Sequence, residues 1–243
     1  MNTKILIPAR FQSSRFPGKP LVDICGQSLI ERVWQKCCLA AKKQDVYVAT
    51  DSEKIAEHCK SKDIQVIMTS DKCLTGTDRV YEAAEKLKAD LIINVQGDEP
   101  LIDPADISRI IDAHISNPKA IHCGMCPIKT EQDFRSPSVP KVVCSPNGKL
   151  FYMSRAAVPT DKNLAFRTAM KQVCIYAFPA EALKVFSKYG KKTPLESVED
   201  IEILRFLELG YEVEMVEVSD SSIAVDFPED LIRVINAIKA GAK

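Results

Sequence analysis

The stretch "DLIINVQ", residues 90–96, most constrains the fold. Leu91, Ile93 and Val95 alternate with Ile92, so a strand here is apolar on both faces. A strand with one face in water would instead alternate apolar with polar. Strands buried on both faces belong to parallel sheets covered by helices. The rest of the chain keeps that rhythm. Lys4–Pro8 is strand-like, and a helix is predicted from about Ser28 through "LIERVWQKCCLAA". "DVYVAT" and "IQVIMT" are short strands separated by the helical "SEKIAEHCKS". "DRVYEAAEKLKA" puts Val80, Ala83, Ala84 and Leu87 on one helical face, and "PADISRIIDAHIS" opens on Pro104, a first-turn residue.

From about Ala120 prolines cluster and the pattern loosens. Strands are expected at Lys141–Cys144, Leu150–Met153, "QVCIYAF" and "YEVEMVEV". Helices are expected at Ala180–Lys188, Leu195–Leu209 and "FPEDLIRVINAIKA". With 243 residues, no repeat and no long linker, the chain reads as one doubly wound α/β domain with an irregular lobe in its second half.

Lysine and arginine number 33, against 33 aspartates and glutamates. That balance argues against a general nucleic-acid or membrane-surface binder. Lys188, Lys191 and Lys192 read as solvated surface. The N-terminal apolar stretch is short and broken by Pro8 and Arg10, unlike a signal peptide, and no run could span a bilayer. A soluble cytoplasmic protein is expected. The nine cysteines suit a reduced core better than a disulfide framework. Cys123 and Cys126 are three apart on a strand-like segment, so they should face opposite ways, and no second pair completes a zinc site. His58, His114 and His122 show no metal-ligand spacing.

In open α/β sheets ligands bind beyond the carboxyl ends of the strands. Arg10, Arg15 and Lys19 follow the first strand, Asp51 the second, and "LTGTDR" (Leu74–Arg79) the third. "QGDEP" (Gln96–Pro100) follows the fourth, and "VDFPEDL" sets Asp226 before a late helix. Four cations, Arg10, Arg15, Lys19 and Arg79, thus share a rim with Asp98 and Asp226. Arginine forks and a lysine point charge suit phosphates, and hard carboxylate oxygens suit Mg²⁺. Backbone N–H groups on the Ser13-Ser14 turn add anion donors. Asp226 has a second reading, as an N-cap with Glu229 closing a capping box. Neither a G-x-G-x-x-G nor a Walker motif is present, which argues against dinucleotide and Walker-type ATPase sites.

"IPARFQSSRFPGKPL", "YVATD", "TGTDR", "NVQGDEP", "KVV", "SRAAVP" and "VDFPEDL" run in this order along nearly the whole chain. Together they closely resemble the 3-deoxy-manno-octulosonate (Kdo) cytidylyltransferases, or CMP-Kdo synthetases. The resemblance implies a Rossmann-like nucleotidyltransferase of the nucleotide-diphospho-sugar transferase type, with a mostly parallel sheet and an irregular second lobe. It implies a homodimer that makes CMP-Kdo and pyrophosphate from CTP and Kdo, for lipopolysaccharide assembly. Residues 1–118 with 219–243 would form the nucleotide part, and about 119–218 the acceptor and dimerisation lobe.

By the same resemblance, Arg10, Ser13, Arg15, Lys19, Thr75, Gly76, Arg79 and Gln96 would bind CTP. Lys19, Asp98 and Asp226 would be catalytic, the two aspartates holding Mg²⁺. Gln96, Arg155, Gln172, Tyr176 and Glu202 would meet the acceptor. The chain departs from the family at Gln172 and Ser197, where a histidine is usual, at Ile203, where a glutamine is, and at Phe227, where a threonine is. The nucleotide side matches and the acceptor side departs. The acceptor is therefore Kdo or, alternatively, 8-amino-Kdo, another acidic keto sugar or a phosphonate. A non-catalytic nucleotide-binding protein is a further alternative, against which the retained Lys19, Asp98 and Asp226 count.

Overall fold

The computed structural model describes residues 2–12 and 15–241. The chain runs β1 (Thr3–Ala9), β2 (Asp23–Ile24), β3 (Gln27–Ser28), α1 (Leu29–Ala40), β4 (Val46–Thr50), α2 (Glu53–Ser61), β5 (Gln65–Met68), α3 (Gly76–Leu87) and β6 (Leu91–Val95). It continues through α4 (Pro104–Ser116), β7 (Ile121–Pro127), α5 (Glu131–Arg135), β8 (Lys141–Cys144), β9 (Leu150–Ser154) and β10 (Met170–Pro179). Then come α6 (Ala180–Lys188), α7 (Pro194–Glu199), α8 (Ile203–Glu208), β11 (Val213–Glu217) and α9 (Asp230–Lys239).

One sheet organises the molecule, in the order β11-β7-β10-β6-β1-β4-β5, with β8 and β9 attached beside β10. β1 pairs parallel with β4 and β6, β4 with β5, and β7 with β11. β10 runs antiparallel to β6, β7 and β8. All of β6 is buried, as its two-faced apolar pattern demands. One core, including Leu6, Ile92, Phe178 and Phe206, lies on one side of the sheet; the other, including Ile7, Ile93, Val33 and Ile110, lies on the opposite side. Cys123 belongs to the first and Cys126 to the second, the opposite facing expected of residues three apart on β7. A smaller core seats α9 against the β2–β3 hairpin through Val234, Ile24, Leu29 and Val225.

From β1 the chain builds outward to β4 and β5, then returns to lay β6 on the other side of β1. That reversal opens a crevice between the loops after β1 and β6.

The helix expected over Leu195–Leu209 is instead two. Asp200 caps α7 with φ 53°, a left-handed conformation that an α-helix does not continue through. Ile201 and Glu202 cross the gap before α8. His58 Nε2 lies 2.8 Å from Ser28 Oγ, and His114 and His122 are buried edge to face.

Candidate active site

The loops after β1 and β6 close on each other because Gly97 lacks a side chain. A Cβ there would lie 2.7 Å from the Pro8 carbonyl oxygen. The contact sets Asp98 beside Lys19, whose ammonium donates to Asp98 Oδ2 (2.8 Å) and to the Val225 carbonyl (2.7 Å). The Val225 N–H in turn donates to the Asp98 carbonyl at 2.9 Å. These bonds tie the late segment to the β6 loop and bring Asp226 to the cleft. Arg15 lies 3.3 Å from Asp226 Oδ1 and over the Phe227 ring, 5.5 Å from its centroid. The capping-box reading of Asp226 does not hold: Asp230, not Glu229, reaches back to accept from the Asp226 and Phe227 N–H groups, both at 2.9 Å.

The second wall is the N-terminus of α3. Thr75 is the N-cap and accepts from the Asp78 N–H. Glu202, from the gap between α7 and α8, accepts from the Gly76 N–H (3.2 Å) and the Thr77 N–H (2.8 Å). Burial raises the Glu202 carboxyl above its ordinary value, and those hydrogen bonds oppose the shift. Arg79 is buried and points inward, donating to Asp51 Oδ2 at 2.8 Å and Thr69 Oγ1 at 2.5 Å. It pins α3 to the ends of β4 and β5. Arg205 anchors the wall from behind. Fully buried, it pairs with both Glu196 oxygens at 2.6 Å, approaches Asp78 at 3.4 Å and stacks on Phe186 at 3.7 Å.

The cleft is about 500 Å³ and is lined by Arg10, Arg15, Lys19, Thr75, Gly76, Arg79, Gln96, Asp98 and Asp226, the expected nucleotide set. The volume suits a nucleotide-sized ligand. Ser13 lies outside the described residues. On the acceptor side Gln96, Arg155 and Glu202 line the cleft, but Gln172 and Tyr176 do not. Tyr176 is buried and stacked on Phe178, and Gln172 donates to its hydroxyl at 3.0 Å. Arg155 faces the cleft with a committed guanidinium, which donates to the Glu199 carbonyl, to that of Pro137 (2.8 Å) and to that of Asp200 (2.9 Å). Lys192 and Asp200 complete this rim. Sequence reading left Lys192 as a surface charge; nothing local signals that the turn before α7 bends toward the cleft.

Asp98 and Asp226 supply hard carboxylate oxygens on the part of the cleft where Lys19 and Arg15 pair with them. That donor set fits a divalent cation completing its shell with phosphate and water. Among the described residues no group of three or more histidines, cysteines and acids could hold a metal by itself.

Residues 4–216 match the family model described as Cytidylyltransferase. A "3-deoxy-manno-octulosonate cytidylyltransferase" of Geobacter sulfurreducens is 40% identical over 252 residues, 98% of this chain and 100% of the relative. The mitochondrial "3-deoxy-manno-octulosonate cytidylyltransferase" of Arabidopsis thaliana is 39% identical over 94% of this chain and 80% of its own length. A solved CMP:2-keto-3-deoxy-manno-octonic acid synthetase complexed with CTP superposes with a TM-score of 0.91, at 32% identity over 99% of both chains. A thymidylyltransferase structure from Bacillus anthracis, at 15% identity, TM-score 0.68 and 98% and 96% coverage, shares the fold.

Proposed function

The chain belongs to the cytidylyltransferase family, and from that membership and the cleft we infer that it transfers CMP from CTP to Kdo, releasing pyrophosphate. One observation carries the reading. Arg10, Arg15 and Lys19 face Asp98 and Asp226 in a cleft whose fold is that of a synthetase complexed with CTP. Of the four departures noted in the sequence, Phe227 packs against Arg15 at the cleft, and the other three do not line it. Ile203 is buried in the core, Ser197 is exposed on α7, and Gln172 bonds Tyr176. That placement favours Kdo over a different acid.

In the reaction the acceptor hydroxyl attacks the α-phosphorus in line and pyrophosphate leaves. The protein's part is mainly positioning and charge stabilisation. Lys19, held by Asp98 and the Val225 carbonyl, presents a fixed ammonium to the phosphates. Arg10 and Arg15 neutralise charge growing on the leaving group. Gln96, beside Gly76 and Glu202, borders both substrates. Asp98 and Asp226 would hold Mg²⁺, which when bound supplies charge neutralisation at the phosphates and acidifies a nearby hydroxyl.

Residues 1–118 with 219–243 carry the phosphate cations and both aspartates, and residues 119–218 carry Arg155, Lys192 and Glu202. This distribution supports a nucleotide part and an acceptor lobe. A homodimer is supported by exposed apolar side chains on the second lobe, Phe151 (60%) and Val198 (84%). The nine free cysteines suit a reducing cytoplasm, and no helix among the described residues is long and apolar enough to cross a membrane.

Pyrophosphate release from CTP, Mg²⁺ and Kdo tests the reading. Turnover that requires all three is expected. Turnover with N-acetylneuraminate but not Kdo would refute the acceptor assignment.

A further inference from the structure

Asp200 stands at the mouth of the cleft among cations from both walls. Lys192 Nζ lies 2.5 Å from its Oδ1. Arg155 and Arg15 line the same opening. The Lys192 hydrogen bond, with added attraction from Lys192, Arg155 and Arg15, holds the Asp200 carboxyl below its ordinary value. The Asp200 backbone is fixed in place. Its N–H donates to the Glu196 carbonyl at 2.8 Å, and its own carbonyl accepts from Arg155. The protein thus holds one of its own carboxylates where an acidic ligand would find its cations.

Most of the other cations here are engaged by the fold. Arg155 donates to three backbone carbonyls, Arg79 to Thr69 and Asp51, and Lys19 to Asp98 and Val225. Lys192 differs, because its partner Asp200 is a carboxylate whose side chain is 71% exposed. Exposed pairs of this kind are weak. A ligand carboxylate seated in the cleft shields the ammonium from water that Asp200 leaves open, so the pair it forms is the stronger of the two, and Asp200 returns to water at little cost.

We propose that Lys192 binds the carboxylate of the acidic acceptor, taking it in exchange for Asp200, and so selects acids over neutral sugars. The proposal rests on the acceptor being a 2-keto acid, as in the function inferred above.

The test is steady-state pyrophosphate release by the protein at saturating Mg²⁺, with acceptor varied at saturating CTP and CTP varied at saturating acceptor. Kdo, 8-amino-Kdo and N-acetylneuraminate serve as acceptors. Lys192→Met should raise the acceptor KM about tenfold to hundredfold, the worth of a charge-assisted hydrogen bond. The KM for CTP should stay within about twofold. Lys192→Arg, which keeps the charge, should recover most of the loss. Asp200→Asn, which removes the competitor, should lower the acceptor KM. A Lys192→Met acceptor KM within about twofold of wild type overturns the proposal, and so does an equal rise in the KM for CTP. If Kdo fails with wild type while another acid reacts, the substrate reading falls and Lys192 is judged on the acid that reacts. If none of the three reacts, both readings fall.

Discussion

Gly97→Ala isolates the contact that sets the cleft. The added methyl would sit 2.7 Å from the Pro8 carbonyl oxygen and 3.4 Å from both Ile30 Cδ1 and Ile7 Cγ2. The two isoleucine contacts need only tenths of an ångström of relief. The carbonyl belongs to β1, which is paired on both edges, and cannot turn aside like a flexible side chain. The β6 loop must therefore move, and Asp98 moves with it away from Lys19. Overpacking of this kind costs about 1–3 kcal/mol, or roughly 2–12 °C in Tm for a domain of this size. A displacement near 1 Å at the reacting groups costs on the order of 100-fold in rate. Gly26→Ala is the control. Gly26 lies in the β2–β3 turn at φ 84°, where an added Cβ meets nothing within 4 Å. Its backbone strain costs about 1–2 kcal/mol, so it should lower Tm while leaving kcat intact. Thermal unfolding and pyrophosphate release on both variants separate the two effects. If Gly97→Ala lost Tm but kept wild-type kcat, the claim that this approach places Asp98 would be wrong.

Three further outcomes are expected. Lys19→Met should lower kcat by roughly 100- to 1,000-fold, and a loss confined to KM would show that Lys19 binds without stabilising the transition state. Arg205→Met should destabilise the fold by about 3–5 kcal/mol in denaturant unfolding, because Glu196 and Asp78 stay buried without their partner; a loss below about 1 kcal/mol would refute that role. Glu202 has a folded pKa raised above 4.5, so the folded chain keeps a proton there that the unfolded chain has lost. Its contribution therefore favours folding below that value and declines as pH rises toward the folded pKa. The stability difference between wild type and Glu202→Gln should fall with pH across that window, and a flat difference would exclude the shift.

Much of the site was readable because strand periodicity fixes where loops begin. Once "DLIINVQ" is a buried strand, Gln96 and Asp98 must lie at its carboxyl end, and the same logic placed Arg10, Lys19 and Gly76. What escaped depended on contacts between distant segments. The direction of β10 has no local signature, since an antiparallel strand and a parallel one carry similar residues. The break at Asp200 lies inside a pattern that reads as continuous helix, and only the left-handed backbone there brings Glu202 to Gly76. Arg155 and Arg79 were identified as cleft residues, but their charge alone did not reveal that the fold already uses their guanidinium groups. Lys192 looked like its neighbours Lys188 and Lys191 for the same reason.

The bond from the Val225 N–H to the Asp98 carbonyl also has a consequence in time. Asp226 follows Asp98 by 128 residues (226 − 98), and α9, which seats that segment against the β2–β3 hairpin, comes later still. A chain emerging from the ribosome can assemble β1, β4, β5 and β6 long before Asp226 exists. Prematurely terminated chains would carry the basic loop and Asp98 but lack Asp226. Completion of the cleft thereby waits until the chain has been made through α9.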